Sequence, residues 1–385
     1  MKTKFNLDHT KMYRLPYSKN DNPNGWIEVT THCNMKCPGC YKGVDREETP
    51  IVHEPLEKIK NEIVELKNIR NCKIITISGG EALMHPDIEE IVRFTKSQKL
   101  HSFIHTNGIL MTDDQILRMK KCGLTGFIVR IDTLNRPEYK HEKDLHRLRS
   151  EIAERVHKIG KLQLGYTSVV DQSNLNEINQ VVDWFQKNNA YCDYQVIIMK
   201  REYDFDHNGP VENQNEVTVH ELAEELHNHF PKMEFSSYLG DQNYNIGFKW
   251  LHVGMISFNG KVLGYVDPKL IELSTVIQHF RYGNYSYVSN QGRNRLTLGN
   301  MIMGGLVSKR MRKIFKKYLK NCLKNPRLLF TLPNTQVINI VNPPSLKKGL
   351  DGFCDACPDA VLYEGLLQPS CILESIKQSQ QKRQQ

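Results

Sequence analysis

The sequence predicts an α/β protein, an incomplete (β/α)6 TIM-like barrel with a C-terminal α+β extension, and three observations carry that reading. From residue 26 to 200 short β-rich runs alternate strictly with longer helical patterns, which implies a parallel sheet with right-handed crossovers. The polar and ligand-bearing motifs fall where strands end and loops begin, the rim at which α/β barrels gather their chemistry. After Arg201 the alternation weakens, so a different kind of structure follows. The expected organisation is an N-terminal segment over 1–21, a partial barrel over 22–230, an extension over 231–377 and a disordered tail over 378–385.

Strands are expected at Trp26–Thr31, Lys73–Ser78, His101–Thr106, Gly126–Asp132, Gln163–Val170 and Tyr194–Met199. Helices fit Pro55–Lys67, Asp87–Ser97, Asp113–Lys121, Glu142–Ile159 and Asn174–Lys187, with Gly79-Gly80, Asn107-Gly108, Gly123 and Gly160 breaking the pattern at the connections. A polar Gly/Pro-containing loop spans 203–215, and a helix lies near Thr218–His229. Asn259-Gly260 inside Gly254–Leu263 signals a hairpin. A second hairpin fits Ala360–Leu367, with its turn at Glu364-Gly365.

With 385 residues and 39% hydrophobic content the chain is long enough for a large core. No run approaches the ~20 apolar residues of a membrane span, and the N-terminus lacks the apolar run of a signal peptide. The expected location is cytoplasmic, where ten cysteines point to metal ligation or burial rather than a disulfide framework. Net charge is +9, and the segment from Ser308 to Arg327 holds nine Lys or Arg and no acid, so the excess is local. Met311, Phe315, Tyr318, Leu319 and Cys322 recur there at helical spacing, giving an amphipathic helix with a cationic outer face. That face over 309–327 is either a solvated surface or a contact for an anionic substrate, nucleic acid or a membrane periphery.

The densest chemical signal is Cys33-x3-Cys37-x2-Cys40, three soft donors in eight residues. Three thiolates suit zinc or iron–sulfur chemistry, and the missing fourth ligand leaves a position open. Gly79-Gly80-Glu81 closes the next strand. The glycines permit close backbone approach and positive φ, and Glu81 supplies a carboxylate for an ammonium group. Thr106-Asn107 and Asp132 end neighbouring strands and either hold ribose hydroxyls or substrate, or cap helices. His32 and His85 flank the motifs as proton carriers or as packing residues.

These motifs in this order resemble the radical S-adenosylmethionine (radical SAM) superfamily over residues 22–200. The resemblance implies a [4Fe–4S] cluster held by Cys33, Cys37 and Cys40, with S-adenosylmethionine on the open iron. Gly79, Gly80 and Glu81 would hold its methionine part, and Thr106, Asn107 and Asp132 would contribute to the site. It further implies a reductant such as flavodoxin or ferredoxin, reductive cleavage of the sulfonium to a 5′-deoxyadenosyl radical, and hydrogen abstraction from a substrate. The chain departs from the common pattern at Gly39, where an aromatic usually precedes the third cysteine; Tyr41, or apolar residues such as Ile197 and Met199, would then meet the adenine.

Cys354-x2-Cys357-x13-Cys371 looks like the auxiliary-cluster extension of such enzymes, and the hairpin between them would return Cys371 to the pair. The resemblance implies a second [4Fe–4S] cluster there, beside the alternatives of a zinc knuckle or buried cysteines. Cys322 is a candidate fourth ligand, although its place on an apolar stripe suits a core cysteine; Cys72, Cys122 and Cys192 also read as core. The competing function is a zinc- or iron–sulfur-stabilised nucleic-acid-binding or scaffold module without radical chemistry.

Overall fold

The computed structural model describes residues 5–47, 49–201, 215–240, 247–286, 295–343, 356–374 and 376–377. All of the expected loop over 203–215 but Asn215, the tail over 378–385 and Cys354 lie outside these residues.

In chain order the elements are β1 (Tyr13–Arg14), β2 (Asn24–Glu28), α1 (Leu56–Arg70), β3 (Ile74–Ser78), α2 (Ile88–Ser97), β4 (His101–Thr106), α3 (Asp113–Cys122), β5 (Gly126–Arg130), α4 (His146–Ile159), β6 (Gln163–Val170), α5 (Ile178–Lys187) and β7 (Tyr194–Met199). There follow α6 (Val219–His229), β8 (Ser237–Leu239), β9 (Trp250–Phe258), β10 (Lys261–Tyr265), α7 (Pro268–Tyr282), α8 (Leu298–Val307), α9 (Lys309–Lys324), β11 (Asn334–Val341), β12 (Ala360–Tyr363) and β13 (Leu366–Pro369).

Strands β2 to β7 lie side by side in chain order, all parallel, each joined to the next through a helix. This is the expected six-stranded partial barrel, and the sheet is not closed. Local chemistry fixes the helices between them. Thr112 accepts from Gln115 N to cap α3, and Gly123, at φ 98°, ends it. The apolar faces of α1 to α5 bury Ile63, Ile91, Ile116, Ile152 and Val181 against the sheet.

Several boundaries differ from expectation: α1 runs on to Arg70, β5 stops at Arg130, and the helix expected from Glu142 starts at His146, after a 3-10 turn over Glu142–Leu145. The first strand runs from Asn24 to Glu28 because Asn24 pairs with Ile74 and Glu28 with Ser78; beyond it Thr30 bridges to His53 as the chain turns toward the cysteines. The helix expected from Asn174 starts at Ile178, after a 3-10 turn over Leu175–Glu177.

The extension continues the same sheet from both of the barrel's open edges. On one side β11 pairs parallel with β7 and antiparallel with β9, and β8 and β1 follow. On the other, β12 pairs with β2 through Val361 and Trp26. Both expected hairpins form. Asn259 and Gly260 (φ 49° and 72°) turn β9 into β10, and Glu364 and Gly365 (φ 49° and 75°) turn β12 into β13. Helices α7 and α8, unmarked by the weak periodicity of the sequence, pack with α9 over the β9–β10 hairpin around Ile256, Leu263, Met301, Met311, Ile314 and Tyr318.

Candidate functional site

The cysteine loop is clamped to the end of β3 by backbone alone. Val29 N donates to Ser78 O at 2.9 Å, Gly80 N to Thr30 O at 2.7 Å and Glu81 N to His32 O at 2.8 Å. A Cβ on Gly79, whose φ is 141°, would lie 2.4 Å from Thr30 O, and one on Gly80 would lie 2.5 Å from His32 O. Both glycines are therefore required, but for a reason the sequence did not reveal. The close approach they permit is to the chain entering the cysteine loop, so they seat the loop, and any contact with a ligand is additional.

Glu81 is fully buried. Its Oε1 accepts from Leu83 N (3.1 Å) and Thr106 Oγ1 (2.8 Å), and its Oε2 from Asn107 N (2.7 Å). Burial raises its pKa, and the Asn107 and Thr106 donors partly oppose that. Thr106 is thus committed to Glu81 and to Gly108 N. Asn107 sits nearer the cysteines, donating to Asn34 Oδ1 at 2.7 Å with Cys33 Sγ 3.9 Å away.

Asp132 is also fully buried, accepting from Asn135 N, Val169 N and Arg130 Nε at 2.8, 3.0 and 3.1 Å. It stands as the anchor of Arg130 and of the turn after β5 rather than at a ligand surface. His85 is held likewise, accepting from Asp87 N at Nδ1 and donating from Nε2 to Glu54 O. His32 stacks edgewise on His53, which stacks on His85.

Cys33, Cys37 and Cys40 are partly exposed. Burial pushes all three thiols up, Cys37 to about 11, with neighbouring thiols adding to the rise at Cys33 and Cys37 and Arg130 opposing it at Cys37 and Cys40. Cys37 lies within electrostatic reach of Cys33, Cys40 and the Arg130 guanidinium. Among the described residues no three His, Cys, Asp or Glu converge as ligands of a single metal ion. Three soft thiol donors closely spaced in one loop are the donor type that iron–sulfur groups take.

The loop opens into a cavity inside the partial barrel. Pro38, Gly39 and Tyr41 line one part of its wall, and Cys357, Asp359 and Cys371 another. The β12–β13 hairpin brings Cys371 back beside Cys357 as expected. Tyr41 lines the cavity, its hydroxyl bonded to Ser78 and its environment including Cys40 and Cys371. Lys42, 2% exposed, donates to Glu28 at 2.5 Å and to Glu374, joining the first cysteine loop to the segment just after Cys371.

Further lining residues were not recognisable from local sequence. Arg130, Lys200, Arg201 and Lys249 bring four cations from three segments of chain, against one lining carboxylate, Asp359. Two wall donors, Trp26 Nε1 and Trp250 Nε1, are buried without a partner among the described residues. His105, pushed down to about 4 by burial and then by Arg130, is neutral. Arg136 ties the loops together, donating to Met35 Sδ and, at 2.8 Å, to Asn107 O.

Of the apolar residues expected near adenine, Met199 lines the cavity, whereas Ile197 faces the main core and Ile198 takes its place. Cys322 is 2% exposed in the satellite core beside Tyr318, away from the cavity, so it is no ligand there. Cys72, Cys122 and Cys192 are buried, as expected. On α9, Ile314 rather than Leu319 faces the core; Leu319 is exposed.

Residues 27–184 match the family model of the radical SAM superfamily. Similar curated proteins include a probable GTP 3′,8-cyclase of Methanococcus vannielii, 30% identical over 164 residues, covering 42% of this chain and 54% of that protein. Another is an AdoMet-dependent heme synthase of Methanosarcina barkeri, 32% identical over 108 residues, 28% of this chain and 30% of that one. The chain thus spans from about a third to about half the length of these relatives. A similar solved structure is Streptococcus suis SuiB bound to S-adenosylmethionine, at 15% identity and TM-score 0.41 over 58% of this chain and 52% of that one.

Proposed function

We propose that the radical SAM domain carried by residues 27–184 makes this chain an enzyme that cleaves S-adenosylmethionine reductively and takes hydrogen from an anionic substrate, a peptide, nucleotide or other small molecule. Cys33, Cys37 and Cys40 would hold the [4Fe–4S] group. The chemistry such a group supplies is one-electron cleavage of the sulfonium to methionine and a 5′-deoxyadenosyl radical.

The chain's own residues prepare the site. Gly79 and Gly80 let β3 grip the cysteine loop, and Glu81 locks the β4 loop beneath it through Thr106 and Asn107. Asp132 aims Arg130 at the cavity. The barrel wall excludes water from a bound substrate and holds its C–H bond in a fixed orientation.

One observation carries the reading: the first cysteine loop, through Pro38, Gly39 and Tyr41, lines one cavity together with Cys357 and Cys371, and four cations share its wall. A second cluster at Cys357 and Cys371, with Cys354, belongs to this proposal, as does a small reductant of the flavodoxin or ferredoxin class. The test is 5′-deoxyadenosine formation from S-adenosylmethionine under a strong reductant, without oxygen. Wild type should form it and Cys33→Ala should not; no product from either would overturn the proposal.

A further inference from the structure

Helices α7 to α9 combine two properties that water alone does not favour. Fourteen of the twenty large apolar side chains exposed among the described residues fall within 273–330, a concentration that isolated surface residues do not give. On α7, Leu273, Val276, Ile277 and Phe280 form a stripe at helical spacing, and Phe280 is 91% exposed. Leu298, Ile302 and Leu306 do the same on α8, Leu323 (83%) follows at the end of α9, and Phe330 (94%) ends the 3-10 turn after it. These helices pack around one satellite core, and Ser308 Oγ, at the joint of α8 and α9, donates to Asp267 at the start of α7.

The second property is charge. Of the nine Lys and Arg from 309 to 327, Arg310 pairs with Glu234, while Arg312 and Lys317 donate to the carbonyls of Gly305 and Leu263. Lys309, Lys313, Lys316, Lys320, Lys324 and Arg327 have no such partner among the described residues. The buried stripe of α9, Met311, Ile314, Tyr318 and Cys322, turns these cations outward.

We propose that the α7–α9 layer docks on the surface of an anionic lipid bilayer, its apolar side chains entering the headgroup boundary and its cations meeting lipid phosphates. The charge chooses this occupant over a second copy of the chain, because two such faces would repel. The exposed aliphatic and phenyl groups choose it over nucleic acid, which would leave them in water. No helix among the described residues is long and apolar enough to cross a membrane, and α8, ten residues long, spans only about 15 Å, so the contact lies on the surface.

The test is flotation of the full chain, purified without oxygen, with vesicles of equimolar phosphatidylglycerol and phosphatidylcholine, and with pure phosphatidylcholine. Wild type should float with the anionic vesicles, lose that binding in high salt and leave neutral vesicles largely unbound. Phe280→Ser with Phe330→Ser should weaken partition by at least about tenfold. Lys316→Glu, Lys320→Glu and Lys324→Glu together should weaken it by roughly a hundredfold. All five positions are on the surface, and an unchanged thermal midpoint shows that the fold is kept. Absence of flotation would overturn the proposal, whether accompanied by RNA binding that depends on the lysines alone or by a dimer that the phenylalanine variants dissociate. Radical chemistry does not enter this readout, so the two proposals stand or fall separately.

Discussion

Replacing Lys42 with Met should damage the protein far more than its place in a loop suggests. The ammonium sits between Glu28 and Glu374 with side-chain exposures of 2%, 8% and 17%, so three charged groups share a nearly dry site. Burial alone would depress Lys42, yet the two carboxylates outweigh it and hold its pKa above the usual range. Removing the cation strands both carboxylates, and breaking a buried pair in this way costs about 3–5 kcal/mol, against about 1 kcal/mol for an exposed one.

The pH dependence follows from Glu374. Burial tends to raise it, but Lys42 and then Lys377 bring it below its usual value. In the wild type its contribution is present above the unfolded carboxylate value and is lost as pH falls through the folded one. In the variant only Lys377 opposes burial, so the folded pKa lies above the unfolded one and stability is lost as pH rises. The difference between the two proteins should therefore widen from about pH 4 to pH 7. Urea unfolding of the full chain at both pH values measures it. A loss below about 1 kcal/mol at neutral pH, or one independent of pH, would refute the argument.

Other consequences concern the loop clamp. Gly80→Ala pushes a methyl group against His32 O and Thr31 O, both backbone atoms, so the cysteine loop must lift. Bound iron should fall well below wild type while the circular dichroism spectrum keeps its helical signature. Glu81→Gln presents an NH2 group where Leu83, Thr106 and Asn107 all donate. It should cost about 1–3 kcal/mol in thermal unfolding, together with slower 5′-deoxyadenosine formation. Arg130→Met leaves Asp132, fully buried, without its cation, and should lower the unfolding midpoint more than Lys200→Met, whose partner Asp171 is 3.4 Å away.

Much of the barrel was legible because its signals are local. His101–Thr106, Gln163–Val170 and Tyr194–Met199 match β4, β6 and β7 end for end, since each is a largely buried run bounded by turn residues. Both hairpins were legible from Asn259-Gly260 and Glu364-Gly365, whose positive φ values the turns demand. The pairing of β11 with β7 and of β12 with β2 was not, because no local pattern records which distant strand completes an edge.

The site divides in the same way. Cysteine spacing marked the loop, but the gathering of Arg130, Lys200, Arg201 and Lys249 depends on topology alone. Gly79, Gly80 and Asp132 were expected around the cofactor, whereas the partners they meet in the fold, Thr30, His32 and Arg130, leave no local mark in the sequence. The basic helix suggested an anionic substrate, whereas the cations facing the cavity come from elsewhere in the chain.

Metal analysis of the chain purified without oxygen tests the central claim most directly. If both cysteine groups hold cubane clusters, wild type carries about eight irons and little zinc. Cys33→Ala with Cys37→Ala, and separately Cys357→Ala with Cys371→Ala, should each lose about half of that iron and leave the other half in place. Zinc in place of iron, or iron that survives removal of Cys33 and Cys37 undiminished, would contradict the account.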